Sequence, residues 1–139
     1  MTIYKVNGYN SEPTYFDDSS NVNAKAEAEA LLAQKQIDVL AYESVRFSVC
    51  ATFVNGNDTT WREVQDSDPE DTICQVFDTF TGTYTECANK TKAFALNEQK
   101  KKEFLVYASL DQVFLLDAIP AKPIAVSNAQ PISTGTQTL

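Results

Sequence analysis

Residues 24–44, AKAEAEALLAQKQIDVLAYES, return 65 positions later as residues 89–109, NKTKAFALNEQKKKEFLVYAS. Nine of the 21 aligned positions are identical without a gap. The identical pairs are Lys25/Lys90, Ala28/Ala93, Ala30/Ala95, Leu31/Leu96, Gln34/Gln99, Lys35/Lys100, Leu40/Leu105, Tyr42/Tyr107 and Ser44/Ser109. Self-similarity at a fixed shift indicates a repeated structural unit, so the sequence predicts an internal duplication.

The similarity continues upstream of this stretch at smaller shifts. Residues 10–13 (NSEP) align with residues 66–69 (DSDP), and Phe16-Asp17 aligns with Phe77-Asp78. The alignment makes Asp17 and Asp78 equivalent, and a capping or turn role would explain both carboxylates without catalysis.

Each copy is predicted to fold as a β-β-α-β unit. The first helix is expected over residues 22–40 and the second from residue 84 or 85 to residue 102, because both stretches lack Gly and Pro and are rich in helix-forming residues. Residues 45–54 alternate apolar and polar side chains, which predicts a half-buried strand, and Asn55-Gly56-Asn57-Asp58 predicts a hairpin turn. The other expected strands are residues 2–6, 14–16, 59–64, 72–80 and 112–116.

These elements predict an α+β protein. We expect a mainly antiparallel sheet that runs across both copies, with the two helices on one face of it. The first repeat is residues 1–57, and the second is residues 58–117, packed on the first. Units of about 60 residues would each be marginally stable alone, so one common body is expected.

Composition and charge exclude several classes of function. The chain has 139 residues and a formal net charge of −8, which disfavours direct binding of nucleic acid through phosphate contacts. No apolar run approaches 18 residues, so no membrane span is expected. The first residues, MTIYK, lack the regions of a signal peptide, which favours a protein of the cytoplasm or one assembled there.

No pattern of catalytic or ligand-binding residues stands out. The chain has no His and only four Gly, so no Gly-rich phosphate loop is expected. Cys50, Cys74 and Cys87 lack the spacing of a zinc site or a disulfide framework. We therefore expect no enzyme activity, no cofactor and no metal.

Two groups of charged residues are candidates for partner binding. Asp66, Asp68, Glu70 and Asp71 form an acidic loop with the spacing of a calcium loop's first ligands, but Asp71 replaces the invariant Gly and Phe77 the final Glu. Lys35 and Lys100 occupy equivalent positions inside the apolar stripe of each helix. They are either stems that extend to solvent at the helix edge or a symmetric pair of contacts to an acidic partner.

The aromatic residues and the C-terminal segment offer two further candidates. Trp61, Tyr4, Tyr9 and Tyr15 would form either an exposed aromatic patch or ordinary core and cross-strand packing. Residues 118–139 form a Pro/Ser/Thr/Gln-rich arm that could reach roughly 70 Å at about 3.3 Å per residue. The prolines of this arm, as candidates for contacting a partner, are Pro120, Pro123 and Pro131.

The stretches AEAEALLAQKQ, YESVRFSV, NGNDTTW and NEQKKKEF resemble small uncharacterised proteins of tailed phages that infect marine cyanobacteria. This resemblance implies a phage origin and no particular activity. We expect an accessory virion protein, such as a capsid decoration or head–tail component. It would bind neighbouring virion subunits or copies of itself through its surface and its arm. The alternative is an acidic inhibitor that mimics nucleic acid and acts on a host protein in the host cytoplasm.

Overall fold

The computed structural model describes residues 1–120. The predicted α+β class is confirmed, with two helices and two antiparallel sheets. The strands are β1 (Ile3–Val6), β2 (Thr14–Asp17), β3 (Val49–Asn55), β4 (Asp58–Glu63), β5 (Cys74–Phe77), β6 (Tyr84–Cys87) and β7 (Phe114–Leu116). The helices are α1 (Ala24–Tyr42) and α2 (Lys90–Tyr107), and a 3-10 turn (Ser44–Phe47) follows α1.

The sheets exchange strands between the two halves of the chain. The first sheet has the order β2-β1-β7, and the second has the order β4-β3-β5-β6. Apart from β4, which lies between them, both halves run β-β-α-β, and the strand after each helix pairs with the first strand of the other half. The order of elements agrees with the predicted unit, whereas a common origin of the two halves stays a prediction.

This pairing corrects the prediction of one sheet shared by both copies. The two helices lie on different sheets, because α1 packs on β1 and β2 while α2 packs on β5 and β6. The boundary expected between residues 57 and 58 falls within the hairpin that joins β3 to β4. Local sequence patterns identified most strands correctly, but apart from the hairpin at residues 55–58 they carried no information about which strands would pair.

The upstream part of the sequence alignment is also corrected. By position in the fold, β5 corresponds to β1 and β6 to β2, so Asp17 at the end of β2 corresponds to Cys87. Asp78 instead lies in the turn between β5 and β6. The aligned NSEP and DSDP motifs are loop residues of similar composition, so their match did not indicate equivalent strands.

The second helix begins later than predicted. Residues 84–87 form β6, in which Cys87 lies opposite Cys74 and Tyr84 opposite Phe77. Asn89 then caps α2, because its side-chain oxygen accepts a hydrogen bond from the Lys92 N–H at 2.9 Å.

The core of the described residues contains two clusters, and Ile3, Val6, Ala24 and Ala28 are buried outside them in the first sheet and α1. One lies between the second sheet and α2 and contains Val49, Ala51, Val64, Cys74, Val76 and Ala93. The other joins the two helices and contains Val39, Phe47, Phe104 and Leu110. Ala28 and Ala93, which are equivalent in the repeat, are both fully buried, so alanine lets each helix approach its sheet closely. Of the side chains predicted to face inward over residues 45–54, Val49 and Ala51 are buried and Phe53 is half-buried, but Cys50 between them is buried as well, and Phe47 is buried in the 3-10 turn before the strand begins.

Candidate protein-binding surface

Five aromatic side chains from four separate segments meet where the two helices end. Tyr42 and Tyr107 are the last residues of α1 and α2. The ring centroids form a continuous series: Tyr42 to Tyr9 at 6.3 Å, Tyr9 to Phe104 at 5.8 Å, Phe104 to Tyr107 at 6.4 Å, and Tyr107 to Phe80 at 5.9 Å. We refer to these five residues as the aromatic surface.

Most of the aromatic surface is open to solvent. Tyr42 is 75% exposed, Tyr107 is 74% exposed and Phe80 is 53% exposed, whereas Phe104 is buried beneath them. Single exposed aromatic residues are common, but a contiguous group with a buried ring as its support is typical of an interaction site.

Hydrogen bonds fix the Tyr9 end of this surface. The Tyr9 hydroxyl donates to Glu43 Oε2 at 3.0 Å, and the same carboxylate contacts Arg46 at 3.3 Å. Burial, followed by the hydrogen bond to Glu43, raises the pKa of the Tyr9 hydroxyl. Tyr9 therefore remains protonated at neutral pH and keeps its donor role.

A cavity of about 450 Å³ adjoins the Tyr9 end of the aromatic surface. Its lining includes Tyr9, Tyr42, Lys35 and Asp38. One of the two predicted lysines is therefore placed beside the exposed rings, with its side chain half-buried.

Lys100 stabilises the Phe80 end of the aromatic surface through an ion pair. Its ammonium lies 3.1 Å from Asp78 Oδ2, and Asp78 Oδ1 accepts hydrogen bonds from the Phe80 and Thr81 N–H groups. The backbone hydrogen bond from Phe80, together with Lys100, lowers the pKa of Asp78. The turn that presents Phe80 is thus held by an ion pair. The symmetric roles expected for the two lysines differ, since Lys35 lines a cavity and Lys100 fixes a turn.

An ion pair and several hydrogen bonds connect the acidic loop to the rest of the protein. Asp68 forms a two-point ion pair with Arg62 at 2.9 and 3.0 Å and accepts the Gln65 N–H at 2.7 Å. Glu70 Oε2 accepts from the Thr91 N–H at 3.0 Å and from the Thr91 hydroxyl at 2.6 Å. These bonds join two of the four predicted carboxylates to their surroundings.

A buried lysine joins the same loop to α2. The Lys90 ammonium donates to the carbonyl oxygens of Asp66 at 2.7 Å and Asp68 at 2.9 Å, and its side chain is almost completely buried. The carboxylates of Asp66 and Asp71 belong to exposed residues. Glu70 is an exposed residue as well, so half-buried Asp68 is the member of the cluster least accessible to a partner.

The aromatic patch expected from the sequence is divided in the structure. Trp61 packs against Tyr84 on the second sheet with ring centroids 5.6 Å apart. Tyr4 lies in β1 and Tyr15 in β2, whereas Tyr9 belongs to the aromatic surface. The sequence carried one signal of that surface, the identical pair Tyr42/Tyr107, but nothing in it placed Phe80 or Tyr9 nearby.

Cys50 and Cys74 are buried, and Cys87 is half-buried. Cys74 and Cys87 face each other across β5 and β6, and all three cysteines are free. Burial raises the pKa of the Cys74 and Cys87 thiols, which makes them weak nucleophiles. Within residues 1–120, no group of three or more His, Cys, Asp or Glu side chains is placed to hold a metal ion.

Of the predicted arm, the structure describes only residues 118–120, in which Pro120 is exposed. Pro123 and Pro131 lie outside the described residues. In the part of the chain that is described, neither helix has the length and apolar character needed to cross a membrane.

Comparison with known proteins gives no relative of this chain. No protein-family model matches it, and no curated protein and no solved structure does so either.

Proposed function

We propose that this chain is a non-enzymatic protein-binding protein that contacts a neighbouring subunit through its aromatic surface. The observation that carries the proposal is the series of ring contacts that links exposed Tyr42, Tyr107 and Phe80 through half-buried Tyr9 and buried Phe104. Aromatic side chains bury a large area with few torsions, and they are enriched among the residues that dominate binding energy at interfaces.

Polar contacts hold Tyr9 and the turn that carries Phe80 in place before any partner arrives. Tyr9 is fixed by Glu43, and the turn carrying Phe80 is fixed by the Lys100–Asp78 ion pair. A surface that is already ordered loses less conformational entropy when it binds. Lys35 beside the cavity would add a contact for a carboxylate of the partner.

For the biological setting we propose an accessory virion protein of a tailed phage, such as a capsid decoration or head–tail component. The resemblance of the sequence to small phage proteins supports this setting. Residues 118–139 would act as an arm that contacts neighbouring subunits, in the manner of an extended peptide.

The alternative proposal is an acidic host-directed inhibitor that acts in the host cytoplasm. The net charge of −8 favours it. It draws less support from the acidic loop, because Asp68 and Glu70 are engaged with Arg62 and Thr91. An inhibitor of this type would bind its basic partner more weakly as salt increases.

Site-specific crosslinking tests the aromatic surface. A photoreactive phenylalanine analogue at position 42 or 107 should crosslink to one defined partner in infected cells or assembled particles. The matched control carries the analogue at Val54, which is 71% exposed and lies on β3, away from the helix ends. An equal crosslinking pattern at all three positions would contradict the proposed surface.

Quantitative mass spectrometry of purified phage particles tests the setting separately. A fixed number of copies of this chain per particle is the expected result for a virion protein. If the chain is absent from particles but crosslinks from positions 42 and 107 in infected cells, the result would instead support a binding function in the host cytoplasm.

A further inference from the structure

Among residues 1–120, no strand pairs with the outer edge of β7, whereas the outer edge of its counterpart in the other half is covered. In the first sheet, β7 pairs only with β1 among residues 1–120. Its counterpart β3 pairs on both sides, with β5 and with β4. An edge of this kind presents unpaired backbone N–H and C=O groups to any extended chain of suitable length.

Side chains at corresponding positions of β7 and β3 also differ in exposure. Leu115 of β7 is 68% exposed, whereas Cys50, which lies 65 positions earlier, is 8% exposed. Beside Leu115 lies a groove of about 350 Å³, whose lining includes apolar Leu32 and Val113 as well as Tyr4. Lys25 and Glu29 of α1 also line the groove. An open strand edge therefore adjoins an apolar groove.

The segment after β7 cannot cover this edge in the way that β4 covers β3. The hairpin of β3 and β4 closes at the pair Asn55 and Asp58, around a two-residue turn in which Gly56 has a φ of 66°. The residues that lie 65 positions after Asn55 and Asp58, and so would close an equivalent hairpin after β7, are Pro120 and Pro123. Because proline has no backbone N–H, this pair cannot form the hydrogen bonds that close such a hairpin.

We propose that the β7 edge and its groove bind residues 124–130 of a second copy of this chain. These residues, IAVSNAQ, contain no proline and begin with three apolar residues, two of them β-branched. They would add as a strand beside β7 and place apolar side chains against Leu115 and Leu32.

A twofold arrangement makes this contact reciprocal. Each copy would donate its own segment and accept that of its partner, which gives a closed dimer. The same kind of exchange already occurs within the chain, where β3 and β7 each pair with the first strand of the other half. This self-association does not depend on the proposed aromatic surface or on a phage setting.

Sedimentation of the full chain and of a chain that ends at Pro120 tests the proposal. The full chain should be a dimer at tens of micromolar, and the shortened chain should be a folded monomer by circular dichroism. Leu115→Glu in the full chain should raise the dimer dissociation constant at least tenfold. Val22→Glu is the matched control, since Val22 is 94% exposed and lies before α1, and it should leave the constant unchanged.

A synthetic peptide of residues 121–139 separates the remaining outcomes. The proposal expects the peptide to bind the shortened chain and to lose at least tenfold in affinity on Leu115→Glu. A monomeric full chain whose shortened form still binds the peptide would show docking within one molecule and overturn the proposal. A dimer that persists without residues 121–139, or one that tolerates Leu115→Glu, would overturn it as well.

Discussion

The buried ammonium of Lys90 connects the acidic loop to the start of α2. It donates to the carbonyl oxygens of Asp66 and Asp68. Lys90→Met would leave both acceptors without this donor, so we expect the free energy of unfolding to fall by about 1–3 kcal/mol. Urea denaturation measures the change. Lys92→Met, at an exposed position in the same turn, should change it by less than about 0.5 kcal/mol, and an equal loss in both variants would contradict this role.

The acidic loop should also make stability depend on acid pH through Asp68. Hydrogen bonds from Arg62 and from the Gln65 N–H lower the pKa of Asp68 to about 2. An unfolded chain titrates this residue near pH 3.9, so ionised Asp68 stabilises the folded state above roughly pH 4. That contribution is lost as the pH falls toward the folded pKa of about 2.

Asp68→Asn should therefore reduce the loss of folded-state stability as the pH falls. Thermal unfolding between about pH 5 and pH 2 should show a smaller loss for this variant than for the parent. Asp66→Asn, an exposed carboxylate in the same loop, should keep the parental slope. A parental slope in Asp68→Asn would mean that the Arg62 contact does not persist in solution.

At the scale of single residues, sequence reasoning selected Lys35, Lys100 and the acidic loop but not their partners. Lys100 pairs with Asp78, which lies 22 residues away, and Glu70 binds Thr91, which lies 21 residues away. Such contacts depend on how strands and helices are brought together. The aromatic surface was missed for the same reason, because Tyr9 and Phe80 reach the helix ends from distant segments.

The two helices differ in how they begin, and this difference gives a matched test. The Asn89 side chain accepts the Lys92 N–H, whereas Asn23 at the start of α1 makes no side-chain cap. Asn89→Ala should lower the free energy of unfolding by about 1 kcal/mol, and Asn23→Ala by clearly less. Urea denaturation of both variants compares them directly, and equal losses would contradict the assigned cap.

At the scale of elements, the existence of both helices was predictable, because periodicity and helix-forming residues are local signals, but α2 runs over Lys90–Tyr107 rather than from residue 84 or 85 to residue 102. Residues 84–87 were wrongly included in the second helix. They lack Gly and Pro, and their strand character comes from pairing with β5. Short strands are stabilised mainly by their neighbours, so propensity alone describes them poorly. The hairpin at Gly56 was predicted correctly because its turn residues are specific.

At the scale of the whole molecule, the sequence indicated two similar β-β-α-β halves but not their interlocking. Each sheet combines a hairpin from one half with the third strand of the other. Pairings between distant strands leave no periodic signal in a single sequence. The same local sequence patterns are therefore compatible with one shared sheet and with two sheets that exchange strands.

Because of this exchange, neither half should fold without the other. A fragment of residues 1–64 lacks β7, the partner of β1, and a fragment of residues 65–139 lacks β3, the partner of β5. Each fragment alone should show no cooperative unfolding by circular dichroism. An equimolar mixture should recover the spectrum and the cooperative transition of the intact chain.

The control for this complementation is a second fragment that ends at residue 112 and so lacks β7. Mixing it with residues 1–64 should restore less structure, because β1 then keeps only β2 as a neighbour. A fragment that unfolded cooperatively as a monomer would show that its third strand can return to its own hairpin. In that case the exchange would be one of two arrangements available to the chain, and mixing the halves would give no gain in stability.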